Sequence, residues 1–164
     1  MSVPTVQIAP APPGVGLAAA PMIEVKLGRM KCSPTPAMPR LGAFFQAPTT
    51  PAPSKGPKYG EKAKASIDRM YANDRYGCCV ITGKFHGVGV RSANDVGTPV
   101  LGTDAEVVGE YHRICGPGDN GCYIPAVLDV MKSQGLTIGG KKHKIDGYAV
   151  MDPGNRELIK AVLI

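Results

Sequence analysis

The stretch Asn73-Asp-Arg-Tyr-Gly-Cys-Cys79, followed at once by Val80-Ile-Thr-Gly-Lys-Phe-His-Gly-Val-Gly-Val90, decides how this chain is read. It sets two adjacent thiols just after a glycine turn and just before a possible helix. The backbone amides at a helix N-terminus stabilise a thiolate, so a nucleophilic cysteine belongs in this position. A cysteine ahead of a short apolar run is more often an ordinary buried residue. Any helix here should be weak, because Gly83, Gly87 and Gly89 each cost about 1 kcal/mol against alanine.

On the C-terminal side, Thr103-Asp-Ala-Glu106 is a capping box that opens a helix over Ala105–Ile114, with Val107, Val108 and Tyr111 as its buried stripe. Asn120 or Gly121 precedes a second helix, which carries Pro125 in its first turn and stops at Gly135. Ala126, Val127, Val130 and Met131 form its apolar face. Beyond Gly139-Gly140, His143–Met151 reads as a strand. Asp152-Pro153 then reads as an N-cap and first-turn proline opening a last helix, Gly154–Ile164. That helix is apolar up to Ile164, which suits a buried, cleaved or truncated end better than a frayed one. On the N-terminal side, Glu61–Tyr71 has a polar helical pattern with Ile67 and Met70 three apart.

Further upstream the composition changes. Residues 1–57 hold 12 of the 16 prolines and one acidic residue, Glu24. Such a Pro/Ala-rich segment buries too little apolar surface to offset its ordering entropy, so it reads as an extended arm and linker that needs a partner. Proline lowers the entropy cost of docking, which favours polyproline II or strand addition to that partner. Within the arm, Met22–Leu27 alternates like a short strand, and Phe44 and Phe45 are candidate anchors into a partner's pocket. Residues 46–57 are linker by composition, and residues 58–164 form the one remaining domain.

The net charge of +6 is spread thinly, in one group at Lys55, Lys58, Lys62 and Lys64 and another at Lys141, Lys142, His143 and Lys144. Such groups meet phosphate or an acidic surface, or simply stay solvated. With no Trp and three Phe, the chain lacks a stacking platform for single-stranded nucleic acid. No run approaches the roughly 18 apolar residues of a membrane span, and no basic segment precedes an apolar one at the N-terminus, so neither a span nor a signal peptide is expected. Five cysteines without such a signal favour cytoplasmic synthesis in a reducing compartment. Adjacent Cys78-Cys79 and the gap between Cys115 and Cys122 do not have the paired spacing of a zinc site, and Gly87-Val-Gly89 lacks a strand-turn-helix phosphate context. No metal or cofactor is expected.

Order along the chain adds a resemblance. After Cys79 come Cys115-Gly-Pro-Gly-Asp-Asn-Gly-Cys122, a helix ending in Gly135, then Lys144-Ile-Asp-Gly-Tyr148 and Asn155–Val162. This order resembles the papain-like cysteine peptidases, in which the nucleophile opens a central helix and a Cys/Gly-rich turn leads to a second one. It is also similar to papain-related proteins of phages and bacteria, matched here by Lys26-Leu-Gly28 and Asn73–Cys79. The likeness covers roughly residues 68–164. It departs at Cys78, where Ser or Asp is usual, and at Val80, where an aromatic is usual. Papain-like enzymes bring their His and Asn about 130–150 residues after the nucleophile, whereas this chain ends at Ile164. His86 lies roughly two helical turns from Cys79, too far along the axis to share its proton easily.

The resemblance implies an α+β fold: a helix-rich, papain-like half-domain with a few short strands, incomplete relative to the family, at residues 58–164, after the extended Pro-rich arm and linker at 1–57. By analogy with the family's structural bridges it implies a Cys78–Cys122 or Cys79–Cys122 disulfide. Together with the arm it implies a structural role, as a phage virion component (minor capsid, cement or decoration protein) whose papain-like domain is catalytically dead. The arm would clamp onto capsid or other virion subunits through Phe44 and Phe45, and the protein would reside in the virion after cytoplasmic synthesis. The alternative is a cysteine peptidase or amidase with Cys79 as nucleophile, His143 as base and Asp152 as its orienter. A basic module binding nucleic acid is a third reading, and it predicts steeply salt-dependent binding.

Overall fold

The computed structural model describes residues 38–44 and 58–163, together with two short strands, β1 (Thr5–Val6) and β2 (Val25–Lys26). These strands pair antiparallel, and β2 falls inside the expected Met22–Leu27 strand. Apart from Phe44, the other expectations for the arm and linker, Phe45 among them, lie outside the described residues. A 3₁₀ turn at Leu41–Ala43 follows, then α1 (Tyr59–Lys62), α2 (Lys64–Ile67), α3 (Cys79–Val96), α4 (Asp104–Cys115) and α5 (Ile124–Ser133). The hairpin β3 (Leu136–Ile138) and β4 (Lys141–His143) precedes α6 (Arg156–Leu163). Helices beside a separate antiparallel hairpin make the class α+β.

Helix α3 runs unbroken through three glycines, against the weak helix that propensity predicts. Tertiary burial decides the matter: Ile81, Phe85 and Ala93 are fully buried on one side of it, and packing of one face contributes more than intrinsic propensity. At Gly89 the missing side chain is required. A Cβ there would lie 2.1 Å from Ser66 Oγ and 3.1 Å from the Val100 carbonyl. The core closes as Val107 and Tyr111 of α4, Val127 and Met131 of α5, and Leu136 and Ile138 of β3 pack with Ile81 and Phe85.

Local signals place α4 and α5. The Thr103 hydroxyl accepts from the Glu106 amide while Glu106 accepts from the Thr103 amide, a complete capping box. Val107 and Tyr111 are buried as expected, Val108 is half-buried, and Glu110 takes the remaining buried place. Pro125 sits in the first turn of α5, whose N-cap is Tyr123 rather than Asn120 or Gly121. Val127 and Met131 carry its inner face, whereas Ala126 is exposed and Val130 half-buried.

Three expectations are corrected. Glu61–Tyr71 is not one helix: it breaks at Ala63 into two single turns, burying Ala63 and Ser66 while leaving Ile67 and Met70 exposed. The strand predicted at His143–Met151 instead ends at His143, because Gly139 and Gly140, at φ 60° and 75°, turn the chain so that Leu136 pairs with His143. Left-handed φ at both turn positions is what Gly-Gly supplies in a two-residue hairpin loop. Val150 instead forms a parallel bridge with Arg40: the Val150 amide donates to the Pro39 carbonyl (2.7 Å) and the Leu41 amide donates to the Val150 carbonyl (2.9 Å). Finally, α6 starts at Arg156, with the Asn155 carboxamide oxygen accepting from the Leu158 amide; Asp152 lies in the preceding turn. Among the described residues no helix is long and apolar enough to cross a membrane.

Candidate functional site

The turn that delivers Cys79 is built around two left-handed residues, Tyr71 (φ 52°) and Ala72 (φ 57°). Non-glycine residues occupy this region at a cost of roughly 1–2 kcal/mol each. Burial holds them there, since Tyr71 and Ala72 are almost completely enclosed and the Tyr71 ring meets Phe85 and His86 at 5.6 and 5.0 Å. The turn then closes on Ala72, whose carbonyl accepts from the amides of Arg75 and Tyr76.

A second clamp comes from the segment between α4 and α5. Asp119 Oδ1 accepts from the Gly77 amide at 2.7 Å and from the Tyr111 hydroxyl at 3.0 Å, and the Tyr111 oxygen accepts from the Gly121 amide. Burial, with the adjacent Asp119 charge, pushes the Tyr111 hydroxyl up to about 12. The Cys115–Cys122 disulfide, with Cα atoms 5.5 Å apart, closes the same segment. This corrects the expected Cys78–Cys122 or Cys79–Cys122 pairing: the bridge joins the last residue of α4 to the start of the next segment, and both turn cysteines are free thiols.

The two thiols have different surroundings. Cys78 is fully buried as the N-cap of α3, with its sulfur within hydrogen-bonding range of the Tyr71 carbonyl and of Thr82 Oγ1 (3.7 and 3.5 Å). Burial raises its pKa above the ordinary thiol value despite the opposing Thr82 contact, so Cys78 is a neutral packing residue. Cys79 is the first residue of α3 and half-buried. Of the two, it alone has the partial exposure a nucleophile needs.

The structure places the other candidates elsewhere. Asp152 Oδ1 accepts from the Gly154 amide at 2.9 Å, which occupies that oxygen within its own turn. His143 ends β4, with its Nε2 enclosed and without a hydrogen-bond partner among the described residues. No hydrogen bond among the described residues joins Cys79, His143 and Asp152. Phe44 is 76% exposed at the end of the 3₁₀ turn.

His143 instead lines a groove of about 750 Å³. One wall is α3 from Gly83 to Val96; the other is Leu128 and Met131 of α5 with residues 143–147. Lys84, also in the lining, has its pKa lowered by burial. The groove was not legible in the sequence, because the glycines at 83 and 87 read there only as helix weaknesses. Glu106 and Glu110 were likewise only partly legible. Besides its capping role, Glu106 accepts from the amides of Gly139 and Gly140, and Glu110 accepts from the Thr137 amide and pairs with Arg113 and Lys142. Burial opposes the charge of each carboxylate, but these donors outweigh it and hold both carboxyls below the usual range. Among the described residues no cluster of His, Cys, Asp and Glu could hold a metal ion.

Comparison with known proteins finds no matching family model, no matching curated protein and no matching solved structure.

Proposed function

We propose that this protein is a structural and interaction component of a larger protein assembly, in the manner of a minor capsid, cement or decoration protein of a phage virion. The helical body acts as a docking unit without hydrolytic function, and residues 1–57 act as the arm that engages neighbouring subunits. The observation that carries this reading is the parallel bridge between Arg40 and Val150. Two backbone hydrogen bonds anchor the root of the arm to the body, so binding along the arm is mechanically coupled to the domain. The local use of Asp152 within its own turn further supports a non-catalytic role. The test is gradient sedimentation of particles from producing cells. The full chain should travel with large particles, and a chain lacking residues 1–57 should remain at the top. Unchanged sedimentation after the deletion, or a full chain that never enters the particle fraction, would refute the reading.

A second reading, a cysteine peptidase or amidase using Cys79, is favoured by one observation. Cys79 opens an 18-residue helix directly after a turn that holds two non-glycine residues in left-handed geometry. Strain of this kind clusters at functional sites. Alkylation at about pH 6, where an ordinary thiol is almost wholly protonated, separates the two readings. Fast labelling confined to Cys79 would favour the enzyme, and slow labelling would favour the scaffold.

A further inference from the structure

The groove beside α3 has three properties that converge on one kind of occupant. Its helical wall is bare at Gly83 and Gly87, where nothing among the described residues lies within 4 Å of the position a Cβ would take, so another backbone can approach closely. Its opposite wall includes Asp146 and Gly147, whose amides reach no protein acceptor among the described residues. This wall leads, three residues later, to Val150, which already forms an isolated parallel bridge with Arg40. Its lining holds Lys84, half-buried and without an ion pair or hydrogen bond among the described residues. Of the other charged residues lining it, Arg91 is paired with Asp95 and Lys144 donates to the Ser133 carbonyl, while Asp146 is exposed. Val88, Leu128 and Met131 supply apolar surface between these polar points.

We propose that this groove docks an extended peptide segment of a partner protein, which runs its backbone along residues 146–147 and seats an acidic side chain on Lys84. An extended occupant follows from the amides that reach no acceptor among the described residues on one wall and the open glycine face on the other, the combination that strand addition uses. The acid follows from charge complementarity, because a partly desolvated ammonium without a counter-charge gains most from a carboxylate. This surface is separate from the arm, so deletion of residues 1–57 and substitutions in the groove test different claims.

The experiment uses the full chain and two fluorescein-labelled octapeptides of alternating Val and Thr, one with a central Glu and the other with Gln in its place. Fluorescence anisotropy should show saturable binding of the Glu peptide and at least about tenfold weaker binding of the Gln peptide, as expected for loss of a charge-assisted contact. Lys84→Met should bring the two peptides to the same affinity. Gly87→Leu should block both, and it leaves the fold intact because the site has open space and leucine is the better helix former. Equal binding of the two peptides, no binding, or unchanged binding by Gly87→Leu would each overturn the proposal. So would concentration-dependent dimerisation that Gly87→Leu abolishes, since a second copy would then be the occupant.

Discussion

Replacing the three glycines of α3 by alanine, one at a time, separates helix propensity from tertiary packing. Alanine is favoured over glycine in a helix interior by about 1 kcal/mol. At Gly83 and Gly87 nothing among the described residues lies within 4 Å of the added methyl group, so each substitution should raise stability by about 0.5–1 kcal/mol. At Gly89 the same methyl would sit 2.1 Å from Ser66 Oγ and 2.6 Å from Ser66 Cβ. A serine rotamer change relieves the first overlap but not the second, and Ser66 is fully buried, so α2 must move. Overpacking of this kind costs about 1–3 kcal/mol. With the helix-propensity gain of about 1 kcal/mol set against it, Gly89→Ala should lose about 0–2 kcal/mol relative to the parent, and should fall about 1–3 kcal/mol below Gly87→Ala, which shares the gain without the overlap. Urea unfolding of the full chain, followed by far-ultraviolet circular dichroism, gives the three values on one scale. Adding Ser66→Gly to Gly89→Ala should recover at least about 1 kcal/mol as a coupling energy, because the two sites are in contact. A Gly89→Ala protein as stable as Gly87→Ala would refute the packing account of α3.

Asp119→Ala should cost about 1–3 kcal/mol by stranding the Gly77 amide and the Tyr111 hydroxyl. It should also speed hydrogen exchange at Gly77, whereas Asp119→Asn, which keeps an acceptor, should do less of both. The carboxyls of Glu106 and Glu110 titrate lower in the folded chain than in the unfolded one. Their stabilisation is therefore complete above the ordinary glutamate value, about 4.3, and lost as pH falls through the depressed folded values. Thermal unfolding between about pH 7 and pH 3 should accordingly show a shallower acid limb for Glu110→Gln, and parallel curves would count against that role. Opening the Cys115–Cys122 bridge by the double serine substitution should cost roughly 2–3 kcal/mol for so short a loop; an unchanged urea midpoint would show that the bridge does not stabilise the fold.

What could be read from the sequence was local in origin. The Thr103–Glu106 capping box and Pro125 in the first turn of α5 each depend on groups a few residues apart, so residue type and spacing suffice to place them. The same holds for Cys79 at the head of a helix. Decisions made by contacts between distant segments were not legible. Propensity disfavours α3, yet it forms because its buried face is covered by α4, α5 and β3, and Gly89 looks like a defect until Ser66 is packed against it. The left-handed pair Tyr71–Ala72 is held by burial that no local signal announces. The division of labour between Cys78 and Cys79 depends on which sulfur the folded chain encloses, and the disulfide partner of Cys122 depends on where α4 ends. Sequence by itself determined where α3 and α4 start, because the signals that open them are short-range. Only the tertiary structure decided which side chains share a groove or a clamp, because burial and charge pairing are set by residues far apart along the chain.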